Sequence, residues 1–204
     1  MSAHPAATGP VDPTGPADLP GRTRRLLDVA EYVTLATVSA TGEPWASTLH
    51  YVWAGDPLRL FFVSTRDTTH GRNIAARPRV SGSVFATGVP GELELAPVEG
   101  AQFEGVCTEL SAGELASWQP YFFTVLFPDP AVREKWALPP EAFGPGRAHG
   151  FYAITVERWW LIDLRTWADD RIDRRVELPP ERLRTVIPSV TASAAPPVSP
   201  PADR

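Results

Sequence analysis

The chain has 204 residues, 43% of them hydrophobic, and a formal net charge of −5. That length carries one domain with a sizeable core, no apolar run reaches the roughly 18 residues that span a bilayer, and the acidic balance lacks the basic stripe of a nucleic-acid binder. Cys107 is the single cysteine, which excludes an intramolecular disulfide and a cysteine metal cage, and residues 1–20 hold no apolar signal core, so the expected compartment is the cytoplasm.

Residues 1–20 carry five prolines and hardly a large apolar side chain, and they read as a disordered arm. Residues 21–184 read as the folded domain, and residues 185–204 as a second disordered tail of Pro, Ala and Ser. A short helix is expected over residues 23–32, with Thr23 as N-cap and Leu26, Leu27 and Ala30 at helical spacing. Residues 32–38 alternate as a strand, with Val33 and Leu35 on one face. Ser39 to Gly42 supply a turn, residues 45–53 a second strand, and residues 58–64 a third, apolar enough to be buried on both faces. These three are expected to be antiparallel neighbours. A helix follows over residues 67–76, with Asp67 as N-cap and Pro78 as its stop. Strands are expected at 79–85, 92–95 and 101–110. Ser111 and Glu114 form a capping box that opens a helix through Trp118, where Pro120 should break or kink it. Residues 128–136 read as one more short helix and residues 151–164 as a long closing strand. Six or seven strands with few helices point to a closed antiparallel barrel, mainly β, and not to a βαβ sheet.

The common signatures are absent: there is no GxxxxGK[ST], HExxH or GxSxG pattern. His4, His50, His70 and His149 are scattered, so no metal site is expected. The run from Gly144 to Gly150 has its third glycine out of place and precedes a strand, which makes it a plain loop. The close arginine groups at residues 22–25 and 171–175 have acidic neighbours and read as solvated faces. Ser64 to Ile74 is the informative stretch. A strand ends and a helix begins among hydroxyls and basic side chains, and the first N–H groups of a helix form a ready anion site. Ser64, Thr65, Thr68 and Thr69 offer hydroxyl donors, and Arg66, His70 and Arg72 offer charge. From composition alone, a self-capping turn without a ligand is the simpler account.

The stretch Val33-Thr34-Leu35-Ala36-Thr37-Val38, with Gly42-Glu43-Pro44-Trp45 after it, resembles the opening hairpin of the pyridoxamine-phosphate-oxidase-like split barrels. Leu60 to Thr65, Thr69 to Ile74 and Pro78-Arg79-Val80 resemble that family's third strand, short helix and fourth strand. Ala101 to Cys107 and Phe151 to Trp160 are similar to its later strands. The resemblance implies a six-stranded antiparallel Greek-key split β-barrel with a few short helices, a homodimer, and FMN at the subunit interface. It implies a cofactor phosphate against Ser64, Thr65, Thr69 and His70, which puts the anion site ahead of the empty turn. It also implies a flavin ring along Ala46, Ser47 and Thr48. Asn73 matches an amide-bearing helix position, a helix-surface or cap asparagine being the equal alternative. The family's phosphate oxidases proper carry an arginine and a lysine on the second strand, where this chain has Ser47 and Val52. They carry Arg-Lys at the helix start, where this chain has Thr69-His70. Vitamin B6 oxidation is therefore not expected.

The expected function is an FMN-dependent oxidoreductase acting on a small molecule, with no nucleic-acid or membrane partner. The deazaflavin F420 is the alternative cofactor. A non-catalytic split barrel that holds flavin, or haem on His50, His70 or His149, is a further alternative, and an interaction protein using its proline-rich tails is the last. No catalytic side chain is singled out, since a flavin carries the redox chemistry itself. Trp45, Trp53, Trp159 and Trp160 read as barrel or interface core before they read as flavin stackers. Cys107 reads as a buried small hydrophobe.

Overall fold

A computed structural model describes residues 18–54, 57–87, 98–163 and 167–186. The elements in order are α1 (Leu19–Val29), β1 (Tyr32–Val38), β2 (Pro44–His50), β3 (Val52–Ala54), β4 (Arg59–Thr65), α2 (Thr69–Ala76), β5 (Arg79–Thr87), β6 (Val98–Glu109), α3 (Ala112–Leu126), α4 (Pro130–Trp136), a 3₁₀ turn (Pro140–Ala142), β7 (His149–Ile162), α5 (Trp167–Asp170), β8 (Arg175–Leu178) and α6 (Pro180–Val186). Every ladder is antiparallel, in the order β2-β1-β5-β6-β7-β4-β3, with β8 added to β7. The protein is a mainly β split barrel of eight strands. The count exceeds six because the second strand breaks at Tyr51 and because β8 joins the edge of β7.

That break makes the architecture. The β2–β3 segment is one bent strand: β2 pairs with β1, and β3 pairs with β4. Residues 52–54 of β3 face residues 59–61 of β4, and beyond Phe61 the two strands diverge. The sheet therefore curls on itself through the Tyr51 corner and leaves an open seam between β2 and the end of β4, the split that the resemblance implies and that strand counting alone does not show. It also means that β4 is not β2's ladder neighbour, as three simple hairpins would have made it.

Period-two alternation fills the interior. Val33 and Leu35 of β1, Leu60 and Phe62 of β4, Val84, Phe103, Ile154, Trp159 and Leu161 are all buried in one core. Phe61 points the opposite way, into a second core with Phe122, Phe123, Phe143 and Phe151, which α3 and the 137–143 segment cover. Burial of β4 on both faces follows the expectation from its apolar run. Each such fully buried large side chain contributes about 1.5–3 kcal/mol. Cys107 is also buried, and desolvation pushes its thiol up to about 12.

Several element ends differ from the sequence reading. α1 starts at Leu19, capped by Asp18 with Pro20 in its first turn, four residues ahead of Thr23. Thr23 is instead buried and accepts a hydrogen bond from Trp159 Nε1 at 3.1 Å. α2 is capped by Thr68 and not by Asp67. The Ser111–Glu114 capping box forms as expected, but α3 runs through Pro120 to Leu126. Pro120 lies on the solvent side, where water can satisfy the freed carbonyl, and burial of Phe122 and Phe123 outweighs the lost bond. The strand expected at 92–95 lies outside the described residues, as do residues 1–17 and 187–204 of the two tails.

Candidate functional site

The seam brings the opening hairpin, the end of β4 and the start of α2 together. Gly42, at φ 96°, makes the tight turn between β1 and β2. Trp45 and Ser47 are two residues apart on β2, so both lie on the face that Val33, Leu35 and Thr37 present on β1. Ser64 lies on the inner face of β4 with Leu60 and Phe62. α2 closes the gap between them, seated tightly because Gly71 has no Cβ: one built there would lie 2.6 Å from the Arg66 carbonyl oxygen.

His70 is the bridge. Its Nδ1 lies 3.0 Å from Ser47 Oγ and its Nε2 lies 2.8 Å from Ser64 Oγ. Trp45 Nε1 donates to the same Ser47 Oγ at 3.0 Å. The imidazole is buried, with its ring edge-on to Phe62. Burial pushes His70 below its ordinary value, which favours the neutral ring. It therefore supplies hydrogen bonds and not the positive charge expected of it.

Asn73 forms a second tie. It is buried, and its Nδ2 donates to Thr37 Oγ1 at 3.0 Å. It is neither a surface nor a capping asparagine; it anchors α2 to β1 beside Trp45.

Strand alternation divides the rest of the expected set. Ala46 and Thr48 are exposed on the outer face of β2, opposite to Ser47. Thr65 falls on the opposite face from Ser64, and its carbonyl accepts from the Thr68 hydroxyl at 2.9 Å. Thr69 opens α2 half-buried. Thr68 Oγ1 caps the Gly71 amide at 3.1 Å, and the Thr68 carbonyl takes the Arg72 amide. The amides of Thr69 and His70 are the two first-turn donors outside that cap. Arg66 is engaged with Glu109 and the Arg147 carbonyl, and Arg72 with the Asp67 carbonyl. Cationic charge beside the helix start thus comes mainly from Arg72, which is exposed.

On the other side of Arg66, a groove of about 600 Å³ opens between the start of α3 and the 140–146 loop, walled by Leu110, Leu115, Phe143 and Phe151. The sequence reading missed this groove, the Arg66–Glu109 pair, and the roles of Trp45 and Thr37. The Trp45-x-Ser47 spacing on a strand was the available signal for Trp45. Nothing in the local sequence marks Glu109 as a partner 43 positions from Arg66. Val52, at a position where the phosphate oxidases proper carry charge, is buried among apolar side chains. Among the described residues, no group of three potential metal ligands occurs, and no helix is long and apolar enough to cross a membrane.

The curled antiparallel sheet with its open seam defines the class of the protein as a split β-barrel. The family model described as pyridoxamine 5'-phosphate oxidase matches residues 19–136, more than half of the sequence, and the chain belongs to that family. Among solved structures, a heme-binding protein from Mycobacterium smegmatis is similar at TM-score 0.60 and 19% identity, over 84% of this chain and 62% of its own. A protein of unknown function from Agrobacterium tumefaciens matches at TM-score 0.54 and 16% identity, over 76% of this chain and 61% of its own. A candidate 5-nitroimidazole antibiotic resistance protein from Bacteroides thetaiotaomicron matches at TM-score 0.53 and 12% identity, over 70% of this chain and 82% of its own. The chain thus spans less than two thirds of the first two structures. No curated protein matches the sequence.

Proposed function

We propose that the protein is an FMN-dependent oxidoreductase that acts on a small molecule, with the cofactor held at the seam where two copies of the chain meet. The observation that carries this reading is the convergence of Ser64, Ser47, His70 and the start of α2 at one opening. The residues present fit the group. Ser64 and Thr69 hydroxyls, the first-turn amides and the Arg72 charge suit a phosphate dianion. The outer edge of β2 has no strand beside it among the described residues. Its backbone donors and acceptors, with the small Ala46 beside them, suit the polar edge of a flavin ring. A bound flavin supplies the hydride or electron transfer; the protein binds it, orients it and excludes water. Ser47 and the buried Val52 leave no basic grip for a second phosphate, so the substrate is not a vitamin B6 phosphate.

The test is an absorbance scan of the purified protein with the released small molecule identified by mass, followed by titration with FMN and with F420. Flavin bands and released FMN support the reading. A colourless protein that binds F420 and not FMN exchanges the cofactor, and one that binds neither overturns the proposal.

Haem binding without turnover is a second reading. It is favoured by His50, exposed on β2 and stacked on Tyr32 at 4.8 Å, whereas both nitrogens of His70 are already engaged. A Soret band on haem addition that disappears in His50→Ala would support it.

A further inference from the structure

The chain of contacts across the seam has a direction. An indole Nε1–H can only donate, so Trp45 fixes one end: Ser47 Oγ accepts from it. A hydroxyl that accepts in this way keeps its own proton for the next partner, His70 Nδ1. A neutral imidazole that accepts at Nδ1 carries its proton on Nε2 and donates it to Ser64 Oγ. Ser64 then keeps its own O–H, and that proton is turned away from the histidine. A hydroxyl can accept twice, so the Trp45 end sets a preference: with one lone pair of Ser47 Oγ taken by the indole, the polarity in which Ser47 passes its own proton to Nδ1 keeps every donor in the chain used. Among the described residues, no carboxylate is bonded to the ring to favour the doubly protonated form, and His70 is 7% exposed. Asn73, through Thr37, holds the strand at Trp45 and so steadies the source of the chain: Thr37 Oγ1 lies 3.5 Å from the Trp45 carbonyl oxygen.

We infer that Trp45, Ser47 and His70 form a polarised hydrogen-bond relay across the barrel seam that holds His70 as the Nε2–H tautomer and makes the Ser64 hydroxyl an obligate donor to an anionic oxygen of the ligand. Trp45 and His70 are positioning residues, and Ser64 is the binding residue. The reverse polarity has Ser47 accept from both Trp45 and Nδ1–H. It spends the Ser64 proton on Nε2 and leaves Ser64 only as an acceptor, which repels a phosphate oxygen. The tautomer stands independently of the cofactor; only the role of Ser64 rests on the function proposed above.

The experiment is nitrogen-15 NMR of the histidine rings in the full-length protein, without ligand, with His70 identified by the signals lost in His70→Gln. The relay predicts a protonated Nε2 and a bare Nδ1. It also predicts that Trp45→Phe, which removes the sole obligate donor, shifts the ring toward the Nδ1–H form. An Nδ1–H ring in the wild type, or a tautomer unmoved by Trp45→Phe, would overturn it. In parallel, FMN titration followed by fluorescence quenching reads the Ser64 end. Ser64→Ala should bind FMN at least about ten-fold more weakly, the loss of one charge-assisted hydrogen bond. Ser64→Thr, which keeps the hydroxyl, should restore most of it. Equal binding by Ser64→Ala would refute the donor role. Failure of the wild type to bind FMN would count against the function and leave the tautomer result in force.

Discussion

At the scale of single residues, His70 and Gly71 set how α2 sits in the seam. Burial lowers the His70 value below the ordinary 6.5, so the unfolded chain takes up that proton at a higher pH than the folded one. Stability then rises with pH across this window. The contribution is intact above about pH 6.5, falls away as the pH drops below it, and levels off once the folded-state value is passed. Thermal unfolding between about pH 7.5 and 5.5, a range where carboxylates titrate little, should show a steeper fall for the wild type than for His70→Gln. Parallel curves would contradict the burial of a neutral ring. Gly71 poses a contest of magnitudes. Alanine would gain up to about 1 kcal/mol of helix propensity, but its Cβ would meet backbone oxygens of Arg66 at 2.6 Å and Thr65 at 3.1 Å. Neither atom is the end of a flexible side chain, so α2 must lift. Gly71→Ala should therefore cost about 1–3 kcal/mol net in denaturant unfolding, and a more stable variant would show that the helix has room to move.

At the scale of elements, α1 is tied to the far end of the barrel by one buried ion pair. Arg22 Nε and Nη2 reach Glu99 Oε2 and Oε1 at 2.7 and 2.9 Å, and Nη2 also donates to the Ile162 carbonyl at 2.7 Å. Both side chains are nearly inaccessible, and Arg22 Nη1 has no hydrogen-bond partner among the described residues. Such a pair adds little over an apolar one, but breaking it strands a charge. Glu99→Ala should cost about 3–5 kcal/mol, whereas Arg22→Met with Glu99→Leu should recover most of that loss; equal losses in both variants would refute the argument. The elements themselves were largely legible. β1, β4, β5, β6 and β7 follow their hydrophobic patterns, and the capping box announces α3. What propensity got wrong is instructive. Pro120 should have stopped α3, but the aromatic residues after it gain more from the second core than the helix loses at an exposed proline. The start of α1 was missed because Asp18 and Pro20 sit in a proline-rich stretch that reads as an arm, although a proline in the first turn is a proper helix opening.

At the scale of the whole molecule, the chain's order of strands was legible only through resemblance. Local alternation predicts three successive hairpins; it cannot show that one bent strand serves both ends of the sheet, because that depends on the corner at Tyr51. The candidate site was legible as a segment and not as a geometry. Ser47, Ser64 and His70 do converge, yet the period of two places Ala46, Thr48 and Thr65 on other faces. The outer face also carries exposed Tyr32 and Phe85, apolar surface that a second copy would cover in the proposed homodimer. Tyr32→Glu combined with Phe85→Glu should convert a dimer to a single chain in sedimentation equilibrium without loss of the fold by circular dichroism; an unchanged mass would place the interface elsewhere. The central claim is that the seam between β2 and α2 is the cofactor site. A crystal structure of the protein with FMN tests it most directly. The account predicts phosphate oxygens within hydrogen-bonding distance of Ser64 Oγ and the Thr69 and His70 amides, with the ring along β2. FMN seated instead in the groove beside Phe143 and Phe151, or with its phosphate away from α2, would contradict it.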